Sequence, residues 1–274
     1  MTRIAAVQLA PVVGDLAGNL DRAVAAVEQS VAGGAAVVVL PELATSGYVF
    51  ETPEEARVLA LRPDGPALAR FAAAAGGATV VVGFAELADD GVYNSAALLD
   101  ASGVRAVYRK VHLWDREKHF FAPGNARPPV VETPVGRIGV LICFDLEFPE
   151  WTRIAALAGA DLLAVPTNWP LGPTPEGERP AEVQIAIATA RMNKIAIACA
   201  DRAGRERGVD WTAGTSVVDA FGALVAQAGP GTGTAWADLD LLDSRDKRQA
   251  ELVDLLADRR PDLYGPLTAA AVRR

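Results

Sequence analysis

Residues 135–151 read VGRIGVLICFDLEFPEW, and this stretch decides the fold. Residues 136–142 are a short, almost wholly apolar run bounded by a glycine, the pattern of a buried strand. Pro149 suits the first turn of a helix, where a missing N–H costs nothing, and TRIAALAGAD has helical apolar spacing with Gly159 near its end. Cys143 therefore falls at a sharp strand-to-helix junction. A thiol there can be presented at the strand's end with backbone N–H groups aimed at a developing oxyanion. The alternative is a buried cysteine serving as a small core hydrophobe. The rest of the chain favours the first reading.

Upstream of this stretch, IAAVQLA reads as a strand and residues 18–33 as an amphipathic helix through Leu20, Val24, Val27 and Val31. AAVVVLP (residues 35–41) is a buried strand ending on Glu42, ETPEEARVLAL and residues 66–76 are helical, and ATVVVGFAEL is a strand. VYNSAALLD pairs with VRAVYRK as a hairpin across residues 100–103. Residues 111–134 lapse into a loop with His112, Trp114, Glu117, Phe120 and Phe121, and a loop of that length in a compact domain is usually functional.

Downstream, DLLAVPTNWP is a strand running into a Pro/Gly-rich loop, AEVQIAIATARMNK is helical and IAIACA is a strand. GRERGVDWTAG reads as a polar loop, TSVVDAFGALVAQAG as a hairpin and TAWADLDL as a strand. The tail, residues 242–274, reads as a charged helix followed by Pro/Gly-punctuated RRPDLYGP. Helices alternate with strands and hairpins intervene, which predicts one α/β domain over residues 1–274 with mixed sheets.

Composition narrows the function. At 51% hydrophobic residues over 274 positions, the chain can bury a full core. A net charge of −8 argues against nucleic-acid or anionic-membrane partners. Two cysteines, Cys143 and Cys199, are too few for a disulfide framework, and no secretory h-region or membrane-spanning run is seen. A cytoplasmic location is expected. Neither zinc-type Cys/His spacing nor a phosphate-binding glycine loop occurs, so no metal and no organic cofactor is expected.

A nucleophilic cysteine needs a base and an oxyanion holder. Only His112 and His119 are present, both in one loop, and no Asn or Asp obviously orients either. A carboxylate base needs only burial and a neighbouring cation to tune it. Glu42, directly after a buried strand in PELATSGY, is the candidate, with a turn or helix-N-terminal carboxylate as the alternative. Lys110 likewise ends the strand VRAVYRK, where the alternative is a solvated edge lysine.

PELATSGY, YRKVHLW and GVLICFDLEFPE, in this order, resemble the three signature segments of the nitrilase, or carbon–nitrogen hydrolase, superfamily. YNSA and DRRPDLY resemble further family segments, so the likeness spans essentially the whole chain. The resemblance implies Glu42 as general base, Lys110 as oxyanion stabiliser and Cys143 as nucleophile, with the Phe144 N–H as second oxyanion donor. Glu117 matches a further glutamate that family members hold in the site, against the alternative of one charge among several in a polar loop. The implied fold is an α-β-β-α sandwich that pairs through its helical faces into a homodimer; a homodimer or higher homo-oligomer is expected, with the C-terminal tail among the dimer contacts.

The resemblance implies a cofactor-independent hydrolase of a small-molecule amide. Phe144-Asp145 after the cysteine differ from the Trp-Glu of true nitrilases, and Leu146-Glu147 replace the arginines with which carbamoyl-amino-acid hydrolases clamp a carboxylate. CFDLEFPE most resembles the amidase branch that includes 5-aminopentanamidase-like and amino-amide hydrolases; N-carbamoyl amine hydrolysis, nitrile hydrolysis and acyl transfer are the alternatives. Glu147 either faces a cationic or neutral substrate group or forms a salt bridge to a basic residue such as Arg153. Tyr48, Trp114, Phe121, Asn168 and Trp169 lie in loops at the same strand ends, and substrate contacts are expected from Tyr48, Trp114, Asn168 and especially Trp169.

Overall fold

A computed structural model describes residues 1–269; residues 270–274, the end of the tail, lie outside the described residues. In the first half of the chain, β1 (Thr2–Gln8) is followed by α1 (Leu16–Ala32) and β2 (Val37–Val39). Next come α2 (Pro53–Val58), α3 (Pro66–Ala75), β3 (Thr79–Ala88), β4 (Gly91–Asp100) and β5 (Gly103–Arg109). The second half runs β6 (Val130–Thr133), β7 (Gly136–Val140), α4 (Pro149–Leu157), β8 (Leu162–Pro166), α5 (Ala181–Asn193) and β9 (Ala196–Ala200). A short hairpin of β10 (Arg205–Glu206) and β11 (Val209–Asp210) precedes β12 (Ser216–Val218), β13 (Leu224–Gln227) and β14 (Gly233–Leu239).

Local chemistry sets these boundaries. Asp15 caps α1 by accepting the Gly18 N–H, Thr52 caps α2, and Pro53, Pro66 and Pro149 occupy first-turn positions of their helices. The β4–β5 hairpin closes with Asp100 opposite Gly103, whose φ of +118° favours glycine.

Two mixed six-stranded sheets result, ordered β14-β1-β2-β3-β4-β5 and β13-β12-β9-β8-β7-β6. The central strands β1, β2 and β3 are parallel, as are β7, β8 and β9, with antiparallel strands outside them. Alternation along the strands then makes the layers. Ile4, Ala6, Val37, Val39 and Val81 face the second sheet, while Ala5, Val7, Val38, Val80 and Val82 face α1 and α3. Val183, Ala186 and Ala190 of α5 and Ala155 of α4 cover the second sheet's far side. This is the α-β-β-α sandwich, as a single unit.

The tail departs from the sequence reading. In place of a charged helix, a 3-10 turn (Leu241–Ser244) leads into a hairpin of β15 (Arg248–Ala250) and β16 (Val253–Asp254), then 3-10 turns at Pro261–Leu263 and Gly265–Thr268. Asp246 and Asp254 accept the N–H groups of Arg248, Leu256 and Ala257, local bonds that compete with a helix. The loop at residues 111–134 likewise holds a 3-10 turn (Asp115–His119) and β6.

Candidate active site

The topology directs the C-terminal ends of β2 and β5 to one edge of the first sheet and those of β7, β8 and β9 to one edge of the second. A bridge between Leu9 and Arg202, and an Asn168 Nδ2 bond to the Glu42 carbonyl at 2.9 Å, tie the two edges together. Ligand sites in α/β sheets form at such carboxyl ends. Glu42, Lys110, Cys143 and Asn168 leave these strand ends and are all buried.

Lys110 is the hub. Its Nζ donates to Glu42 Oε1 at 2.7 Å and to Glu117 Oε1 at 2.8 Å, with all three side chains at most 3% exposed. The two carboxylates differ in their remaining bonds. Glu117 Oε1 also accepts the Tyr48 hydroxyl at 2.5 Å and Oε2 accepts the Trp114 N–H at 3.1 Å, so both of its oxygens are engaged. Glu42 Oε1 also accepts from Asn94 Nδ2 at 2.7 Å, but its buried Oε2 has no partner among the described residues.

Backbone geometry presents both key groups. Cys143 has φ +47° and Leu43, next to Glu42, has φ +48°, left-handed conformations that cost a branched or bulky residue about 1–3 kcal/mol. Asp145 closes the Cys143 turn by accepting the Ile142 N–H at 3.2 Å and holds the Lys110 segment by accepting the His112 N–H at 3.1 Å. Tyr108 donates to the same carboxylate at 2.7 Å. Gly83 and Gly124 allow the loops to lie against β3 and the end of β5: a Cβ on Gly83 would stand 2.5 Å from the Glu42 Cα, and one on Gly124 would collide with the Arg109 carbonyl.

Burial governs the electrostatics. Desolvation, with Glu117 adding to it, outweighs Lys110 and Asn94 and pushes the Glu42 carboxyl up to about 7. Desolvation and then Glu42 hold the Cys143 thiol well above its ordinary value, against the pull of Lys110. For Lys110, burial is the largest single influence and favours loss of the proton, but the negative charges of Glu117, Glu42 and Cys143 together outweigh it and keep the ammonium. Burial, then Glu117, keeps the Tyr48 phenol protonated as a donor. Among the described residues, no group of three or more His, Cys, Asp and Glu side chains could hold a metal ion.

Tyr48 and Glu117 line a cleft of about 330 Å³ together with Phe50, Trp114, Phe120 and Trp211. Trp114 is exposed and packs edge-on to Phe144 at 4.8 Å. Trp169 is placed differently from the expectation: it is 3% exposed in the core, its backbone N–H bound to Asp201, and it does not line this cleft. Asn168 spends its amide on the Glu42 carbonyl, while its own carbonyl lies 3.9 Å from Cys143 Sγ. Phe121 is buried against Phe50. Cys199 lies in the core, as its apolar strand implied.

Two further points correct the sequence reading. His112 does have an orienting carboxylate, with Nδ1 2.7 Å from Asp145 Oδ1, and its ring stacks on Phe148 at 3.7 Å; among the described residues no hydrogen bond links it to Cys143. Glu147 is exposed and makes no ion pair with Arg153 among the described residues; Arg153 donates to the Met192 carbonyl instead. Sequence reasoning missed Asn94, Asp145 and Trp211 as parts of the site. The only signals were the YNSA segment for Asn94 and the nearness of Asp145 to the cysteine.

Comparison with known proteins identifies the family. Residues 3–249 match the family model described as Carbon-nitrogen hydrolase. A nitrilase from Pyrococcus abyssi is 36% identical over 96% of this chain and 99% of its own length. An (R)-stereoselective amidase from Pseudomonas sp. is 33% identical over 97% and 94%. Among solved structures, a glutamate-to-glutamine mutant of the amidase from Nesterenkonia sp. AN1, carrying the product of Michael addition of acrylamide at its active-site cysteine, aligns with a TM-score of 0.80 at 29% identity. That alignment covers 97% of this chain and 100% of the other. The chain is an enzyme of the carbon–nitrogen hydrolase family, within the nitrilase superfamily.

Proposed function

We propose that this enzyme is an amidase that converts a small aliphatic or amino amide to carboxylate and ammonia through a thioester on Cys143. The observation that carries the reading is the unequal use of two carboxylates around one ammonium. Glu117 has both oxygens bound, whereas Glu42 keeps a buried oxygen unpartnered and has its pKa pushed up to about 7. A carboxyl tuned near neutrality with an open oxygen suits proton transfer in both directions.

Glu42 takes the thiol proton as Cys143 Sγ attacks the amide carbon. The carbonyl π pair moves onto oxygen, where two donors meet it. Lys110 has three N–H donors and spends two on Glu42 and Glu117, leaving the third for the oxyanion. The Phe144 N–H, in the first turn of the 3-10 segment Cys143–Glu147, is the other, because the leading N–H groups of such a turn have no partner within it. Glu42 returns its proton to nitrogen, the C–N bond breaks and ammonia leaves. Water then gives a proton to Glu42 and its oxygen to the thioester carbon; the C–S bond breaks and the thiol is restored.

Tyr48, Trp114, Phe50 and Trp211 support an uncharged aliphatic acyl group in the cleft. We include a homodimer in the proposal, its pairing face on α4 and α5, where Leu157 and Met192 stand exposed. Ammonia release from aliphatic amides, ω-amino amides, N-carbamoyl amines and nitriles tests the substrate class. Fast turnover of amides supports the reading; turnover of carbamoyl compounds alone replaces it with carbamoyl hydrolysis.

A further inference from the structure

Outside the hydrolytic site, the loop after β9 carries a second buried ionic pair that the reaction steps leave unused. Arg202 is 1% exposed and Glu206 5% exposed. Arg202 Nη1 lies 3.0 Å from Glu206 Oε2, and Nη2 donates to Glu206 Oε1 at 3.1 Å and to the Pro11 carbonyl at 2.7 Å. Glu206 Oε2 also accepts the N–H groups of Tyr48 and Val49, at 2.8 and 2.7 Å. Gly47, at φ +77°, bends the chain over this carboxylate so closely that a Cβ would stand 2.7 Å from Glu206 Oε1.

The pair supports two neighbouring aromatic residues of the cleft wall. The Arg202 guanidinium stacks on the Trp211 ring, 4.5 Å from its centroid, and Trp211 meets Tyr48 edge-on at 5.2 Å. Tyr48, Val49 and Trp211 all line the cleft, whereas neither Arg202 nor Glu206 does. A buried ion pair contributes little net stability compared with an apolar filling, because desolvation offsets the attraction. What this pair supplies is position: it fixes the backbone at Tyr48 and Val49 and the indole plane of Trp211.

We propose that Glu206, with Arg202 as its counter-ion, is a positioning residue that sets acyl-chain selectivity. It holds Tyr48 and Trp211 in edge-on contact as one continuous aromatic wall against which an extended aliphatic acyl group packs. The proposal rests on the amidase reading above for its substrates, with the cleft as the acyl-binding end. The two-carbon acyl group of acetamide reaches only the catalytic end and is indifferent to this wall; a longer chain lies along it.

The test compares acetamide, butyramide and hexanamide as substrates of the wild type and Glu206→Gln. A glutamine keeps the volume but loses the charge facing the guanidinium and one of the acceptor oxygens. The expected result is a KM for hexanamide raised about tenfold with the acetamide KM within about threefold, while any fall in kcat passed on through Tyr48 and Glu117 is the same for all three amides. Equal KM changes at all chain lengths, or no change at any, in a folded variant would overturn the proposal. If Glu206→Gln fails to fold, Arg202→Lys carries the same comparison, since it keeps the charge but removes the planar group behind Trp211. If the wild type hydrolyses no amide, the amidase reading fails but the positioning proposal is still tested by intact-mass rates of Cys143 alkylation. Selective slowing with 2-chlorohexanamide, and not with chloroacetamide, supports the proposal; equal effects on both reagents sink it.

Discussion

Gly83→Ala probes how tightly the fold holds Glu42 without touching any reacting group. A Cβ at position 83 would stand 2.5 Å from the Glu42 Cα, 2.5 Å from the Pro41 carbonyl oxygen and 2.8 Å from the Leu43 N. All three are backbone atoms, so no side chain can rotate away. The segment is also tied to β3 on both sides, Ala44 N to the Gly83 carbonyl at 2.9 Å and Gly83 N to the Pro41 carbonyl at 3.2 Å, and must move with it. Ordinary contact begins at 3.4 Å, so the Glu42 backbone has to retreat by about 1 Å. A shift of that size strains the 2.7 Å bonds from Lys110 and Asn94 to Glu42 Oε1. Misplacement on this scale costs about 100-fold in rate, and overpacking costs about 1–3 kcal/mol of stability. The assay is kcat for amide hydrolysis alongside urea unfolding. A folded variant with kcat down about 100-fold and a nearly unchanged KM is expected. A folded Gly83→Ala enzyme at full kcat would refute the claim that the β3 contact sets the position of Glu42.

Four further perturbations read the site. The Glu42 carboxyl titrates near 7, so kcat/KM should rise with pH through about 7 as the base loses its proton; Asn94→Leu, which removes a bond favouring the charged form, should move that limb upward in a pH–rate profile. Because the folded value lies above the ordinary 4.5, the stability linked to Glu42 is fully present below about 4.5 and is lost as pH rises through about 7; urea unfolding of Glu42→Gln should lack that decline. Tyr48→Phe deletes the hydroxyl bound to Glu117 Oε1 and should lower kcat about tenfold in steady-state kinetics, with stability within about 1 kcal/mol of wild type. Asp145→Ala strands the Tyr108 hydroxyl and the Ile142 and His112 N–H groups, and should cost about 3–5 kcal/mol in chemical denaturation.

The parts of the molecule legible in the sequence share one physical origin. Buried strands are short apolar runs, so a charge or thiol at the end of one stands out, and Glu42, Lys110 and Cys143 were visible for that reason. Helix starts were equally plain where Pro53, Pro66 and Pro149 marked a first turn. What stayed hidden depends on long-range pairing. Asn94 lies 52 positions from the carboxylate it serves, and Asp145 is 33 positions from His112. Glu206 reads as part of a polar loop because charged residues are usually exposed, yet pairing with Arg202 and the Tyr48 and Val49 amides let it be buried. Trp169 looked like a pocket aromatic because it follows β8 directly, but Asp201 draws its backbone inward and Gly214 leaves room for the indole in the core. The tail misled because its pattern suggested a charged helix, while its aspartates bond to neighbouring amides.

The central claim is that Cys143 carries the acyl group while Glu42 moves the proton. Ammonia release from the amide that the wild type turns over fastest, measured for wild type and Cys143→Ala, tests it most directly when paired with intact-mass detection of the quenched enzyme. The account predicts an acyl adduct on wild-type Cys143 and at least about a 10³-fold loss of ammonia release in the variant. Ammonia release at the wild-type rate from Cys143→Ala would contradict it.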